Sequence, residues 1–144
     1  MLYSRPCEYA IRATTYLARQ RDGELVPVSE IARAERITLP FLSRILYDLA
    51  RNGLLESRKG PGGGFRLARP ARQIKLRDIV DAVDGLAGLE RCATGLSECS
   101  DEIPCPLHDS WKELRRRIKA QLERVSLAQM ARAVEKKKAL LAAR

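Results

Sequence analysis

Three of the four cysteines and the only histidine of this 144-residue chain fall in one stretch, Arg91 to Trp111. Six residues separate Cys92 from Cys99, five separate Cys99 from Cys105, and two separate Cys105 from His108. Thiolate and imidazole are the donors that soft and borderline metals prefer, so the cluster reads first as a metal site. Structural zinc in a Cys₃His shell is chemically reasonable, but zinc ribbons and fingers pair their cysteines at narrower spacing than this. A nucleophilic Cys–His pair needs an orienting third group and a substrate cleft, and the sequence displays neither, so no enzyme is expected. Cysteine-only redox sensing stays open, because flexible spacing permits disulfides. An iron–sulfur cluster fits the loop best: three thiolates plus a fourth ligand from His108 or from elsewhere.

The segments that must position this loop carry their own signal. Residues 8–20 read as a helix, with Ala10, Ala13 and Leu17 on one face and no Gly or Pro before the Asp22-Gly23 turn. Val28, Ile31 and Ala32 mark a short second helix ending near Ala34. After a tight connection, Thr38 is the expected N-cap of a third helix, with Pro40 tolerated in its first turn. That helix is expected to bury Leu39, Leu42, Ile45, Leu46 and Leu49, to present Pro40, Ser43, Arg44, Tyr47 and Arg51, and to close at Gly53. Two short helices joined by a tight turn, the second with an Arg-bearing face, make a helix-turn-helix.

The next segment strengthens that reading. Leu54–Ser57 and Phe65–Ala68 are expected strands around Arg58-Lys59-Gly60-Pro61-Gly62-Gly63-Gly64. Two cations opening a glycine-rich loop form a wing whose backbone can approach DNA while Arg58 or Lys59 enters a groove, with Gly62 and Gly63 at the tip. A phosphate-cradling P-loop is excluded, since no Lys-Ser/Thr pair ends the glycines and no helix comes after them. The fold class expected is mainly α with a small β-hairpin wing, a winged helix-turn-helix followed by a long C-terminal dimerisation helix.

Leu76, Ile79, Val80 and Val83 make a short amphipathic helix stopped by Gly85. Gly95, Pro104 and Pro106 mark the cysteine segment as loop. Beyond it, Leu107, Trp111, Leu114, Ile118, Leu122 and Val125 form an apolar seam over five helical turns, with Arg115, Arg116, Arg117 and Lys119 on the other faces. A helix of that length is economically buried against its copy in a second subunit, so a homodimer is expected. Ser126 is expected to cap a last short helix through Val134, with a frayed tail after it. The organisation read from this order is a DNA-binding domain over 1–85, a cluster-binding loop over 86–109, and a dimerisation helix with tail over 110–144.

Charge follows the same divisions. The chain carries a formal +9, with 14 Lys/Arg against 7 Asp/Glu in residues 1–75, 2 against 8 in 76–109, and 11 against 3 in 110–144. The cysteine loop is an acidic island between basic blocks, and basic surfaces of this kind suit a polyanion such as double-stranded DNA. No apolar run is long enough to span a membrane and no signal peptide is read, so a cytoplasmic protein with reduced thiols is expected.

Four segments carry a family resemblance: Cys-Glu-Tyr-Ala-Ile-Arg-Ala at 7–13, Arg-Asn-Gly-Leu-Leu-Glu-Ser-Arg-Lys-Gly-Pro-Gly-Gly-Gly-Phe at 51–65, Leu-Arg-Asp-Ile-Val-Asp-Ala-Val-Asp-Gly at 76–85, and the three-cysteine loop. With these, essentially residues 1–134 resemble the Rrf2 family of winged-helix transcriptional regulators, which includes the IscR-like and NsrR-like iron–sulfur sensors. The resemblance implies a homodimer with crossed long helices and a two-iron or four-iron cluster near the dimer seam, held by Cys92, Cys99 and Cys105. The fourth ligand implied is His108 by the IscR-like pattern, or Glu8 reaching from the partner's first helix by the NsrR-like one. Cys7, beside Glu8, reads as a small buried hydrophobe or, less simply, as another ligand. The function expected is a promoter-binding regulator sensing redox, nitric oxide or iron and cluster status. The alternatives are a cluster-free thiol regulator and a small iron–sulfur electron carrier.

Overall fold

The computed structural model describes residues 2–144, whose order is α1 (Arg5–Ala18), α2 (Val28–Glu35), α3 (Leu39–Arg51), β1 (Leu55–Arg58), β2 (Gly64–Leu67), α4 (Leu76–Val83), α5 (His108–Arg124) and α6 (Leu127–Ala142). Short 3₁₀ turns at Ala71–Gln73 and Ala87–Glu90 flank α4. Six helices and one antiparallel hairpin give the mainly α, winged arrangement expected.

Each helix forms where its apolar spacing and caps direct it. The Ser4 hydroxyl accepts from the Cys7 amide at 3.2 Å and so caps α1, while the Ser4 amide donates to Asp84 at 2.8 Å, tying the start of α1 to the end of α4. Ala10, Ala13 and Leu17 of α1, Ile31 of α2, Leu42, Ile45, Leu46 and Leu49 of α3, and Ile79 and Val80 of α4 all bury in one core. That core also takes in Leu122 of α5 and Leu127 of α6. The C-terminal helices thus close the underside of the winged unit as well as extending from it.

The α2–α3 turn is made by Arg36, which caps α2 in the left-handed region at φ 54°, and by Ile37, which donates its amide to the Ala32 carbonyl at 2.9 Å and buries. Thr38 stands at the N-cap of α3, as expected, but its hydroxyl makes no cap bond. Leu39 departs from expectation: it is 45% exposed, because as the first helical residue it precedes the turn that lays Leu42 on the core.

In the hairpin, Leu55 faces Leu67 and Arg58 faces Gly64, so the first strand begins one residue later, and the second one residue earlier, than read from sequence. An unanticipated bridge fixes it to the body of the fold. Val26 and Phe65 exchange both backbone hydrogen bonds at 2.9 Å, so the chain before α2 acts as a third strand at a single point. A second bridge joins Lys75 to Ser126 and locks the α5–α6 corner onto the start of α4.

Two features of the C-terminal region differ from expectation. The tail after Val134 is not frayed. α6 runs to Ala142, since Glu135-Lys136-Lys137-Lys138 and the Ala/Leu residues beyond are all good helix formers with no glycine or proline among them. Ser126 does start this helix, in a reciprocal capping box with Gln129. The α5 seam is only partly covered: Leu122 buries, Ile118 is half-buried, and Leu107 and Leu114 stay exposed. Among the described residues no helix is long and apolar enough to cross a membrane.

Candidate functional site

Two surfaces gather the residues singled out by sequence. The first is built on α3 and the hairpin. Thr38, Pro40, Arg44, Tyr47 and Arg51 lie exposed along α3, and Ser43 is half-buried with its hydroxyl donating to the Leu39 carbonyl at 2.8 Å. The Arg51 guanidinium pairs with Asp48 one turn earlier, whereas no ion-pair partner stands against Arg44 among the described residues. Tyr47 meets Phe65 edge-on at 5.2 Å between ring centroids, which couples the helix to strand β2 of the wing.

Arg58, Lys59 and Gly62 are exposed at the hairpin tip. Gly62 adopts φ 73°, a conformation that glycine takes without strain. Gly63 is half-buried, and a Cβ there would stand 2.2 Å from the Arg58 carbonyl oxygen. Its lack of a side chain therefore serves the packing of the tip on itself. The surface offers Arg44, Arg58 and Lys59, without ion-pair partners among the described residues, beside a glycine-rich backbone, an arrangement suited to a phosphate-lined groove.

The second surface is the cysteine loop, from the 3₁₀ turn at Ala87–Glu90 to the first turn of α5. Cys92, Cys99 and Cys105 are all free and half-buried. The Sγ of Cys99 lies 3.4 Å from Nδ1 of His108, which is only 4% exposed at the first residue of α5. On its other side, Nε2 of His108 lies 2.8 Å from Asp101, and the Lys112 ammonium donates to the same carboxylate at 2.8 and 3.0 Å. Those hydrogen bonds, Lys112 first and His108 second, hold the Asp101 carboxyl down to about 2. Cys92 is lowered to about 7, chiefly by the Thr94 hydroxyl at 3.1 Å, then by the Thr94 and Leu96 backbone and, last, by the Cys105 thiol.

Within the loop Cys99 thus stands against His108, and Cys92 against the Thr94 hydroxyl. Among the described residues no three Cys, His, Asp or Glu side chains stand together closely enough to enclose an ion. In donor chemistry the set nevertheless fits an iron–sulfur cluster: three uncrosslinked thiols in one loop, one drawn toward thiolate at neutral pH, and an imidazole against another. Glu8 lies apart from them on α1, its carboxylate 3.6 Å from the Arg12 guanidinium. Cys7 has 0% exposure, and burial, with the charge of Asp84 second, pushes its thiol up to about 12.

Sequence reasoning missed the parts that anchor this loop. Asp101 and Lys112, which orient His108, were not singled out, though Lys112 lies one helical turn beyond it. Trp111 donates from Nε1 to the Arg91 carbonyl at 3.0 Å, and Arg115 donates to the Glu90 carbonyl at 3.2 Å. Lys119 pairs with the Glu90 carboxylate. Three successive turns of α5 therefore grip the start of the loop.

The thiol environments predict an order of reaction. In reduced, metal-free protein at about pH 8, iodoacetamide should alkylate Cys92 first, because the thiolate is the nucleophile and its fraction there is large. Cys7 should react on the order of a hundred times more slowly until the protein is unfolded. Time-resolved peptide mass spectrometry checks this, and Cys7 labelling as fast as Cys92 in the folded protein would contradict it.

Comparison with known proteins places the chain in a family and agrees with its fold. The Rrf2 family, described as an iron-dependent transcriptional regulator, matches residues 3–133. A protein of Aquifex aeolicus in the class of HTH-type transcriptional regulators is 38% identical over 120 residues, covering 82% of this chain and 83% of that one. The HTH-type transcriptional regulator IscR of Xenorhabdus nematophila is 32% identical over 124 residues, covering 86% of this chain and 75% of its own. Among solved structures, CymR, the global cysteine regulator of B. subtilis, superposes with a TM-score of 0.79 at 20% identity, covering 92% of this chain and 98% of its own.

Proposed function

The chain belongs to the Rrf2 family of DNA-binding transcriptional regulators, which are not enzymes, and from that premise we propose that it is a homodimeric operator-binding protein governed by an iron–sulfur cluster on Cys92, Cys99 and Cys105. The carrying observation is the loop itself: three free thiols, one of them against a buried imidazole, rooted directly on the helix left with an open apolar seam. Residues 1–85 supply the DNA-reading unit, 86–109 the ligand loop, and 110–144 the dimerising helix and its return. Membership of a regulator family also removes the electron-carrier reading.

When bound, an iron–sulfur cluster supplies a redox centre that also reacts with oxygen and nitric oxide. The chain's own residues supply the rest. Cys92, Cys99 and Cys105 would be the thiolate donors, and His108, already against Cys99, would take the fourth position in preference to Glu8, whose carboxylate is engaged by Arg12. Asp101 and Lys112 fix the orientation of the imidazole. Trp111, Arg115 and Lys119 hold the start of the loop to α5, and the Lys75–Ser126 bridge holds the far end of α5 to α4. A change in loop order thus bears on α5, whose exposed Leu107 and Leu114 face a second copy, and so on the spacing of two recognition helices.

The test is anaerobic purification with iron and sulfide counts and visible absorbance. The parent should be coloured and contain both elements, while Cys92→Ala, Cys99→Ala and Cys105→Ala should each lose most of the colour. His108→Ala should alter the spectrum and Glu8→Ala should leave it as in the parent. A colourless parent without iron or sulfide would sink the cluster. The pairing of Cys99 with His108 and Asp101 favours a second reading, a thiol switch without metal, in which case alkylating reagents and peroxide would change DNA affinity in the colourless protein.

A further inference from the structure

Leu39 opens α3 in a way the core does not explain. It is 45% exposed and stands outside the buried cluster that Leu42, Ile45, Leu46 and Leu49 enter. The other two large apolar or aromatic side chains exposed on this helix each have an aromatic partner: Phe41 meets Tyr9 edge-on at 5.7 Å between ring centroids, and Tyr47 meets Phe65. Leu39 instead has the exposed Thr38 and Pro40 beside it, with Ser43 and Arg44 one turn on, and these belong to the surface offered to DNA.

The leading end of α3 has almost nothing to donate. Leu39, Phe41 and Leu42 carry no polar atom in their side chains, and Pro40 lacks even the backbone N–H. Ser43 commits its one hydroxyl proton to the Leu39 carbonyl at 2.8 Å. Arg44 is therefore the first side chain of the helix with a proton free for a base. Side chains on a helix lean toward its N-terminus, and the N-terminal residues of a recognition helix are those that reach base edges. What α3 carries first into a major groove is thus the apolar pair of Leu39 and Pro40.

We propose that Leu39 selects a thymine in the operator by covering its 5-methyl group. In the major groove guanine, adenine and cytosine present hydrogen-bonding groups, whereas thymine adds a methyl group to its O4 acceptor. An isobutyl side chain laid on the first three strips water from groups it cannot bond, which costs free energy. Laid on the methyl, it buries apolar surface against apolar surface. The half-site read by α3 then has a thymine at the leading end of the helix and, through Arg44, a guanine further along. The surface is continuous with the cations of Arg44, Arg58 and Lys59, which suit a phosphate-lined groove better than an apolar protein partner. The inference rests on the DNA-binding reading and adds to it the base that α3 meets first.

The test starts from the operator duplex that the anaerobically purified full chain selects from a randomised pool. Each thymine of one half-site is then replaced singly by deoxyuridine, which lacks only the methyl group. Fluorescence anisotropy should show binding about fourfold weaker at one thymine, the size expected for one buried methyl group, and little change at the others. Leu39→Ala should bind the thymine duplex about as weakly as the parent binds that deoxyuridine duplex, and should no longer tell the two apart. Leu39→Met, which keeps an apolar side chain there, should retain the discrimination. A merely structural role would lower the affinity for every duplex by one factor in Leu39→Ala and leave the discrimination intact, which overturns the proposal. A parent indifferent to every thymine methyl, a result that needs no variant, overturns it too, as does a selected half-site without thymine. Failure to enrich any sequence would remove the DNA-reading premise itself, whereas an enriched operator bound without regard to its methyl groups removes Leu39 alone.

Discussion

Gly64→Ala should destabilise the protein by roughly 3 kcal/mol or more, among the largest effects open to a single methyl group here. Gly64 sits at φ 148°, and a Cβ on it would stand 2.2 Å from the Val26 carbonyl oxygen and 2.4 Å from its carbon. Neither atom belongs to a flexible side chain, so the methyl group can be accommodated only by moving backbone. The movement breaks the Val26–Phe65 bridge, two hydrogen bonds of 2.9 Å, and lifts Phe65 from a site where it is 3% exposed. Gly60→Ala is the control, because Gly60 also has positive φ, at 88°, yet a Cβ there meets nothing within 4 Å. It should lose only the conformational term, about 1 kcal/mol. Urea denaturation of the two variants separates the effects. If Gly64→Ala unfolded within about 1 kcal/mol of Gly60→Ala, the close approach of the wing to Val26 would not exist in solution.

That contact also shows where sequence reading stops. Apolar spacing located the buried faces of α1, α3 and α4, because a helix facing a core must repeat its apolar residues every three or four positions. The glycine-rich tip was legible as a wing because two cations preceding five residues of Gly and Pro fit little else. The bridge to Val26 left no local mark, since a single backbone pairing between distant segments imposes no periodicity. Leu39 was assigned to the core by spacing alone, which does not register that a helix's first residue precedes its packed turn. Position at the chain end alone makes the tail read as frayed, although residues 135–142 continue the helix that Ser126 and Gln129 start.

In the cysteine loop the donors were plain and their pairing was not. Residue type and number identified Cys92, Cys99, Cys105 and His108. The placing of Cys99 against His108 and of Cys92 against Thr94 depends on loop path, which glycine and proline leave free. The anchoring by Asp101, Lys112, Trp111 and Arg115 was hidden because charged and aromatic residues on a basic helix look alike until their partners are placed. Burial then separated Cys7 from the other cysteines, placing it in the core as the plainer reading of its position had it.

Arg44 carries the second large expectation. Its guanidinium is exposed on the outer face of α3 with no ion-pair partner among the described residues, while that of Arg51, two turns on, is held by Asp48. If α3 enters the major groove, Arg44→Ala should weaken binding to a selected operator duplex by about 1–3 kcal/mol, roughly 10- to 100-fold, and leave scrambled DNA much less affected. Arg58→Ala, at the wing, should weaken operator and scrambled duplexes alike and reduce the salt slope by about one unit. The two side chains lie on different elements with no contact between them, so the double variant should show close to the sum of the losses. Arg51→Ala should lose less than Arg44→Ala, since that side chain must first leave Asp48. Fluorescence anisotropy at two salt concentrations reads all four quantities. A double variant that bound operator as tightly as the parent would remove α3 and the wing from the DNA interface and leave the basic surface of residues 110–144 as the place to look.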